Sequence, residues 1–261
     1  MSDLHYQLDG SPGKPLLVFL HGFLGSVDDW NFAVDHFVSD YCCLRIDLPG
    51  HGQTRLADPA QYAMPSTARL LIELLDKLKM SQAHLLGYSM GGRLALYLGV
   101  HYPDRFLKII LESASPGLED SREQKQRQEQ DERLAQALEK KELEQFLREW
   151  YNLPLFQNLS LHPSFREMFQ RRLQNDPLDL ARSLRQMGTG SQPSLWSRLS
   201  EVQLPVLLLA GEKDQKFRDL AIQMQERNSQ FRISVVESCG HTIHFENEKR
   251  FLQEAAEFLM V

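Results

Sequence analysis

Cysteine is scarce in this chain: there are three in 261 residues, and Cys42 and Cys43 are adjacent. Three thiols cannot all pair within one molecule, so a disulfide framework is excluded and reduced thiols in a cytosol are expected. No apolar run approaches the ~20 residues that a membrane-spanning helix needs, and no membrane insertion is expected. The first residues, Met1-Ser2-Asp3-Leu4-His5-Tyr6-Gln7, have neither the basic start nor the apolar stretch of a secretory signal. A cytoplasmic protein is the resulting expectation. Positive charge is also in deficit: 29 Lys and Arg face 35 Asp and Glu, for a net charge of −6. That is the wrong sign for displacing counterions from a nucleic-acid backbone, so no nucleic-acid partner is expected. No Gly-x-Gly-x-x-Gly or Gly-Lys-Ser/Thr loop is present to cradle phosphates. The nine histidines are scattered without a metal-ligand spacing, so neither cofactor nor metal is expected.

What is present is an ordinary globular composition, 42% apolar and 25% charged, in a chain long enough to bury a sizeable core. Apolar or alternating runs predict strands at residues 4–8, 15–20, 41–46, 84–86, 106–111, 205–210 and 232–236. Helical spacing appears between them. A helix is predicted to begin at Asp29-Trp30 with Phe32, Val34 and Phe37 inward, another at 66–79, and a last one at 249–260. Strands alternating with helices give an α/β fold with a mostly parallel sheet. From Glu119 to about Glu149 the chain is dense in Glu, Gln, Lys and Arg, and helical patterns continue to Arg185. An insertion of this length is too long for a loop and reads as a lid. The expected organisation is a core of residues 1–116 and 200–261 with a helical cap at 117–199.

The segment that carries chemistry is Gly87-Tyr88-Ser89-Met90-Gly91. In Gly-x-Ser-x-Gly the serine occupies a strained strand-to-helix turn, and the glycines are there because a Cβ would strike neighbouring backbone. Asp214 and His241 each follow a strand-like run, giving the order Ser…Asp…His that the α/β-hydrolase fold uses. The roles follow from acidity. A serine hydroxyl is too weakly acidic to act alone near neutral pH, so His241 takes its proton and Asp214 sets the imidazole tautomer. Glu212 competes with Asp214, and His244 with His241; His21 and His51 read as loop-shaping residues. Arg93 lies one helical turn after Ser89 on the same face, where a guanidinium can grip a carboxylate by two parallel hydrogen bonds.

Narrower text accompanies the elbow: Gly92-Arg93, Ser113-Ala114-Ser115-Pro116-Gly117-Leu118, Glu149-Trp150-Tyr151 with Pro154-Leu155-Phe156, Met187-Gly188-Thr189-Gly190-Ser191-Gln192-Pro193, and Gly211-Glu212-Lys213-Asp214 with Lys216-Phe217. On these residues the sequence resembles the 2-succinyl-6-hydroxy-2,4-cyclohexadiene-1-carboxylate synthases, α/β-hydrolase-fold lyases of menaquinone or phylloquinone biosynthesis. The resemblance implies elimination of pyruvate from a small polyanionic ring substrate, with Ser89 as base and no cofactor. By similarity, Arg127 and Arg172 join Arg93 as cationic grips, and Tyr88 and Trp150 form part of the wall. Arg122 is the alternative to Arg127, and Arg171 to Arg172. By analogy with the fold, the N–H groups of Phe23 and Met90 form an oxyanion hole. The same triad also suits a serine hydrolase acting on a small anionic ester, thioester or carbon–carbon bond. The sequence sets no oligomeric state.

Overall fold

Every residue of Leu16–Leu20, Cys42–Ile46 and Val206–Gly211 is buried, which strands achieve only inside a sheet covered on both faces. The computed structural model describes residues 4–260. Met1, Ser2, Asp3 and Val261, at the ends of the core segments expected above, lie outside the described residues. Seven strands form one sheet: β1 (Tyr6–Asp9), β2 (Leu16–Leu20), β3 (Cys42–Ile46), β4 (Ala83–Tyr88), β5 (Phe106–Glu112), β6 (Val206–Gly211) and β7 (Arg232–Val236). Their spatial order is β1-β3-β2-β4-β5-β6-β7. Only β1 runs antiparallel to its neighbour; every other pairing is parallel. This is the α/β-hydrolase architecture that the triad order implied.

Alternation along β2 shows how the core divides. Leu16, Val18 and Leu20 join one apolar cluster with α2 (Met64–Lys77) and α3 (Met90–His101). Leu17 and Phe19 point the other way, into a cluster with α1 (Asn31–Phe37) and α11 (Glu248–Met260). Successive side chains of a strand face opposite sides, so one strand feeds both layers. Between β5 and β6 the chain is wholly helical apart from its turns. It contains α4 (Ser121–Lys140), α5 (Leu143–Tyr151), α6 (Gln157–Ser160), α7 (Phe165–Arg172) and α8 (Pro177–Met187). After β6 come α9 (Gln215–Arg227) and the short α10 (Ile243–Glu246).

The charge-rich α4 buries only Asp131, Ala135 and Leu138, a stripe at helical spacing that is enough to seat it on its neighbours. Asp120 caps its start by accepting from the amides of Arg122 and Glu123 at 2.7 and 3.0 Å. Arg185 of α8 reaches across to Glu132 and Glu139 of α4. Leu24, from the loop after β2, joins the apolar cluster of this helical segment with Phe146, Leu147, Tyr151 and Leu180. The segment is therefore packed onto the sheet's loops.

Several boundaries differ from the pattern-based expectation. The first strand begins at Tyr6, and the helix expected at 66–79 starts at Met64 because Pro65 suits a first turn, which has no amide partner to lose. Asp29 and Trp30 lie in a 3-10 turn, Val27–Trp30, and α1 follows it. Phe32 is only half-buried there, while Ala33 is fully covered. Cys42, Cys43 and Cys239 are free and buried, and burial pushes the Cys43 thiol up to about 12. Among the described residues no helix is long and apolar enough to cross a membrane.

Buried imidazoles make this fold sensitive to acid. Burial, helped by the charge of Lys108, pushes His84 down to about 4. Burial also lowers His21 and His51. Imidazoles of an unfolded chain titrate near ~6.5, so in the window from about 6.5 down to about 4 unfolding takes up protons and stability falls as pH falls. His84→Gln removes one of these sites. Its unfolding free energy, measured by urea titration at several pH values in that window, is expected to have a shallower pH slope than the wild type. Equal slopes would remove His84 from this account.

Candidate active site

Ser89 sits between β4 and α3 at φ +49 and ψ −107, a conformation that side-chain-bearing residues adopt only when their surroundings hold them there. The surroundings are tight. A Cβ on Gly87 would lie 2.5 Å from the Gly91 carbonyl oxygen, and one on Gly91 would lie 2.2 Å from that of Leu20. The turn is held by the Ser89 amide donating to the Glu112 carbonyl at 2.8 Å and the Arg93 amide donating to the Ser89 carbonyl at 2.9 Å. The half-buried serine thereby stands at the end of the sheet where the loops after β2, β5, β6 and β7 converge.

Two of those loops bring the partners. Asp214 caps α9, its Oδ1 accepting from the Phe217 amide at 3.4 Å, while its Oδ2 lies 2.7 Å from His241 Nδ1. The helix-capping role and the pairing with His241 thus use different oxygens of one carboxylate. A carboxylate only accepts, so Nδ1 carries the proton and Nε2 is left as an acceptor 3.3 Å from the Ser89 hydroxyl. Asp214 and His241 are 6% and 3% exposed, so little water competes for their bond. Phe217 flanks the imidazole at 4.6 Å between ring centres.

The competing residues are occupied elsewhere. Glu212 accepts from the Ser238 amide at 2.8 Å, and His244 donates from Nδ1 to Glu112 at 2.8 Å. His21 donates from Nδ1 to the Gly22 carbonyl and accepts the Leu48 amide at Nε2, at 2.7 and 3.0 Å. His51 donates to the Pro49 carbonyl at 3.1 Å. The contacts of Glu212, His21 and His51 fix loops, and that of His244 ties α10 to the end of β5.

A cavity of ≈ 190 Å³ opens at Ser89 and is lined by His241, Phe23, Met90, Arg93, Arg127 and Trp150 among others. A smaller one of ≈ 40 Å³ shares Phe23, Ser89 and Trp150 with it and is lined also by Tyr88 and Arg172. The expected site residues are therefore gathered around one serine, with Asp214 behind the imidazole. Arg122 and Arg171 line neither cavity.

The three arginines differ in their surroundings. Arg172 forks onto Asp29 with bonds of 2.7 and 2.8 Å and also reaches the Tyr151 hydroxyl at 3.3 Å. Burial works against both charges, but Arg172 more than offsets it at Asp29, whose carboxyl is held below its usual range, and Asp29 in turn raises Arg172. Arg127 pairs with the buried Asp131 at 2.8 Å. Burial, with the nearby charge of Arg127, pushes Arg93 down to about 10, which leaves it a cation at neutral pH. Burial raises the Tyr88 hydroxyl well above its ordinary range, so it stays neutral, 3.0 Å from the Thr242 hydroxyl.

Sequence reasoning did not place Asp29, Asp131, Gln192 or Lys216 at the site. Lys216 lines the larger cavity, and both it and Gln192 lie within the family-like stretches already singled out. The two aspartates carried no local signal; Asp29 is 143 residues from its arginine.

Comparison with known proteins agrees with the architecture. The family model described as alpha/beta hydrolase fold matches residues 15–248. A Bacillus subtilis protein provisionally designated 2-succinyl-6-hydroxy-2,4-cyclohexadiene-1-carboxylate synthase is 39% identical over 96% of this chain and 92% of its own. The enzyme of that name from Escherichia coli O1:K1 is 32% identical, with 98% of each chain covered. The solved structure of MenH from S. aureus superposes with a TM-score of 0.93 at 36% identity, covering 98% of each chain.

The His241–Asp214 bond has a spectroscopic consequence. A proton held between Nδ1 and a buried carboxylate should resonate far downfield of the amide envelope in the proton NMR spectrum. The resonance is expected to vanish in Asp214→Ala and to survive in Ser89→Ala. Its persistence in Asp214→Ala would mean that another acceptor holds the imidazole.

Proposed function

The chain belongs to the 2-succinyl-6-hydroxy-2,4-cyclohexadiene-1-carboxylate synthase family of the α/β-hydrolase fold, and from that premise we propose how it works. It is a carbon–oxygen lyase that eliminates pyruvate from 2-succinyl-5-enolpyruvyl-6-hydroxy-3-cyclohexene-1-carboxylate in quinone biosynthesis. In the proposed mechanism His241 draws the Ser89 proton onto Nε2, while Asp214 accepts the bond from Nδ1–H and stabilises the imidazolium. The Ser89 oxygen then takes a proton from a ring carbon. The electron pair of the broken carbon–hydrogen bond shifts through the ring, forms the new double bond and breaks the carbon–oxygen bond to the enolpyruvyl group. The departing enolate takes up, at its methylene carbon, the proton held on His241 Nε2 and becomes pyruvate, which returns the imidazole to its starting state with Ser89 again a hydroxyl. No water is consumed and nothing is oxidised.

Negative charge that develops on the substrate faces the amides of Phe23 and Met90, and the standing carboxylates face Arg93, Arg127 and Arg172. Tyr88 and Trp150 wall the reacting ring. Residues 117–199 serve as the cap, which brings Arg127, Trp150 and Arg172 over the core formed by 1–116 and 200–261. Reduced, buried thiols fit a cytoplasmic enzyme. The observation that carries this reading is a serine within reach of a buried His–Asp pair, opening into a cavity lined by Arg93 and Arg127. A hydrolase of uncharged esters has the first feature without needing the second.

Incubation with the enolpyruvyl substrate, with pyruvate followed by a coupled assay, tests the assignment. Pyruvate release is expected to fall roughly a thousandfold in Ser89→Ala and in His241→Ala. Arg93→Ala should lower kcat/KM by at least about 30-fold, as loss of a buried partner for an anion does. A protein that releases no pyruvate above the blank but turns over a simple ester would sink the lyase reading.

A further inference from the structure

The guanidiniums around Ser89 are neutralised to different degrees. Arg172 and Arg127 each have a carboxylate of their own, Asp29 and Asp131. Arg93 has none among its hydrogen-bond partners. Its Nη1 donates to the Met187 carbonyl and to Gln192 Oε1, both at 3.0 Å, and both acceptors are neutral. Gln192 is itself 2% exposed, and its Nε2 donates to the Ser115 carbonyl at 3.2 Å. The amide is therefore locked: turning it over would set its NH₂ against a guanidinium and its oxygen against a carbonyl.

Both protons of Nη1 are engaged this way, whereas the Nε–H and Nη2–H edge of Arg93 has no hydrogen-bond partner among the described residues. Arg93 lines the cavity beside Ser89. That free edge is the one that takes a carboxylate by two parallel bonds. We propose that Gln192 is a positioning residue for substrate binding: a buried neutral acceptor that fixes Arg93 from behind without pairing it to a carboxylate, while the nearby Asp131 is paired to Arg127, so that Arg93 is left to pair with a substrate carboxylate. A glutamate at 192 would hold the guanidinium as firmly and cancel its charge. The proposal rests on the functional reading above for the identity of the substrate, though not for the geometry.

Gln192→Glu tests it with almost no change of shape. In the pyruvate-release assay KM is expected to rise by about tenfold or more with kcat within about threefold of wild type. The carboxylate oxygen set against the Ser115 carbonyl and the gained ion pair with Arg93 oppose each other, so the melting temperature should move by only a few degrees. A merely structural Gln192 predicts the opposite pattern, with stability lost and KM kept. KM within about twofold of wild type overturns the proposal. If the glutamate variant fails to fold, Gln192→Asn takes its place: it shortens the side chain without adding charge, its KM is expected to rise about threefold or more, and an unchanged KM overturns the proposal.

Failure of the functional assignment is read separately, by calorimetric titration of succinate as a dicarboxylate probe. Wild type is expected to bind it at least about tenfold more tightly than Gln192→Glu, whether or not pyruvate is released. Equal binding, or none to wild type, overturns the proposal.

Discussion

The 2.7 Å contact between His241 Nδ1 and Asp214 Oδ2 is the interaction on which the rest of the site depends. Asp214 is fixed by its place at the start of α9, and His241 by the loop after β7, so their bond ties the ends of two neighbouring strands together. The loops approach closely enough that a Cβ on Gly211 would meet the Gly240 carbonyl oxygen at 2.0 Å. A residue with a side chain at 211 would push the His241 loop outward. The imidazole would then lose its tautomer and its distance to Ser89 at once, because one contact sets both. Burial of both partners keeps water from substituting for either.

A second constraint is electrostatic. A cavity that gathers cations must keep them from destabilising the empty protein, and under the proposed function it must still offer net charge to an anion. Here the two demands are met by different residues. Arg172 is almost fully buried and carries Asp29 in a two-bond fork, so it contributes shape and directed donors with little net charge. Arg93 keeps its charge, held by a carbonyl and an amide, and burial brings it down to about 10, still protonated at neutral pH. Breaking a buried ion pair leaves an uncompensated charge, whereas a cation in a neutral cradle has already been stabilised without one. Under the proposed function, ligand binding therefore changes the electrostatic state of Arg93 most.

The fold and the triad were legible in the sequence because their physical requirements are local. A strained serine turn needs glycines at fixed offsets, a doubly covered strand needs an unbroken apolar run, and both leave marks within a few residues. Asp214 was marked by the strand-like run before it, and the structure adds that it caps a helix with one oxygen while the other meets the imidazole. Phe32, Val34 and Phe37 all pack on the inner side as expected, with Phe32 at the edge of the cluster and only half-buried. The counter-ions were illegible. Asp29 and Arg172 meet only after the helical segment folds back on the loop after β2, and nothing in their immediate neighbours distinguishes them from surface charges. Gln192 lay in a stretch singled out for its resemblance, yet its role is defined by Arg93 and Ser115, residues far away in the chain.

A triad alone does not choose between attack on a carbonyl and removal of a proton from carbon, because in both a serine oxygen is sharpened by an imidazole. The choice is made by which substrate atom is held over that oxygen. Arg93 follows Ser89 by one turn of α3, a rise of about 5–6 Å, and the two side chains lie on the same face. Under the proposed function, a carboxylate held on the free edge of Arg93 leaves the atoms a few bonds further along the substrate above the serine. For a ring acid those atoms are ring carbons bearing hydrogen. An anionic ester held on the same arginine would present its carbonyl there instead, so Arg93 selects for an acid and the bonding of that acid completes the choice between proton removal and acyl attack.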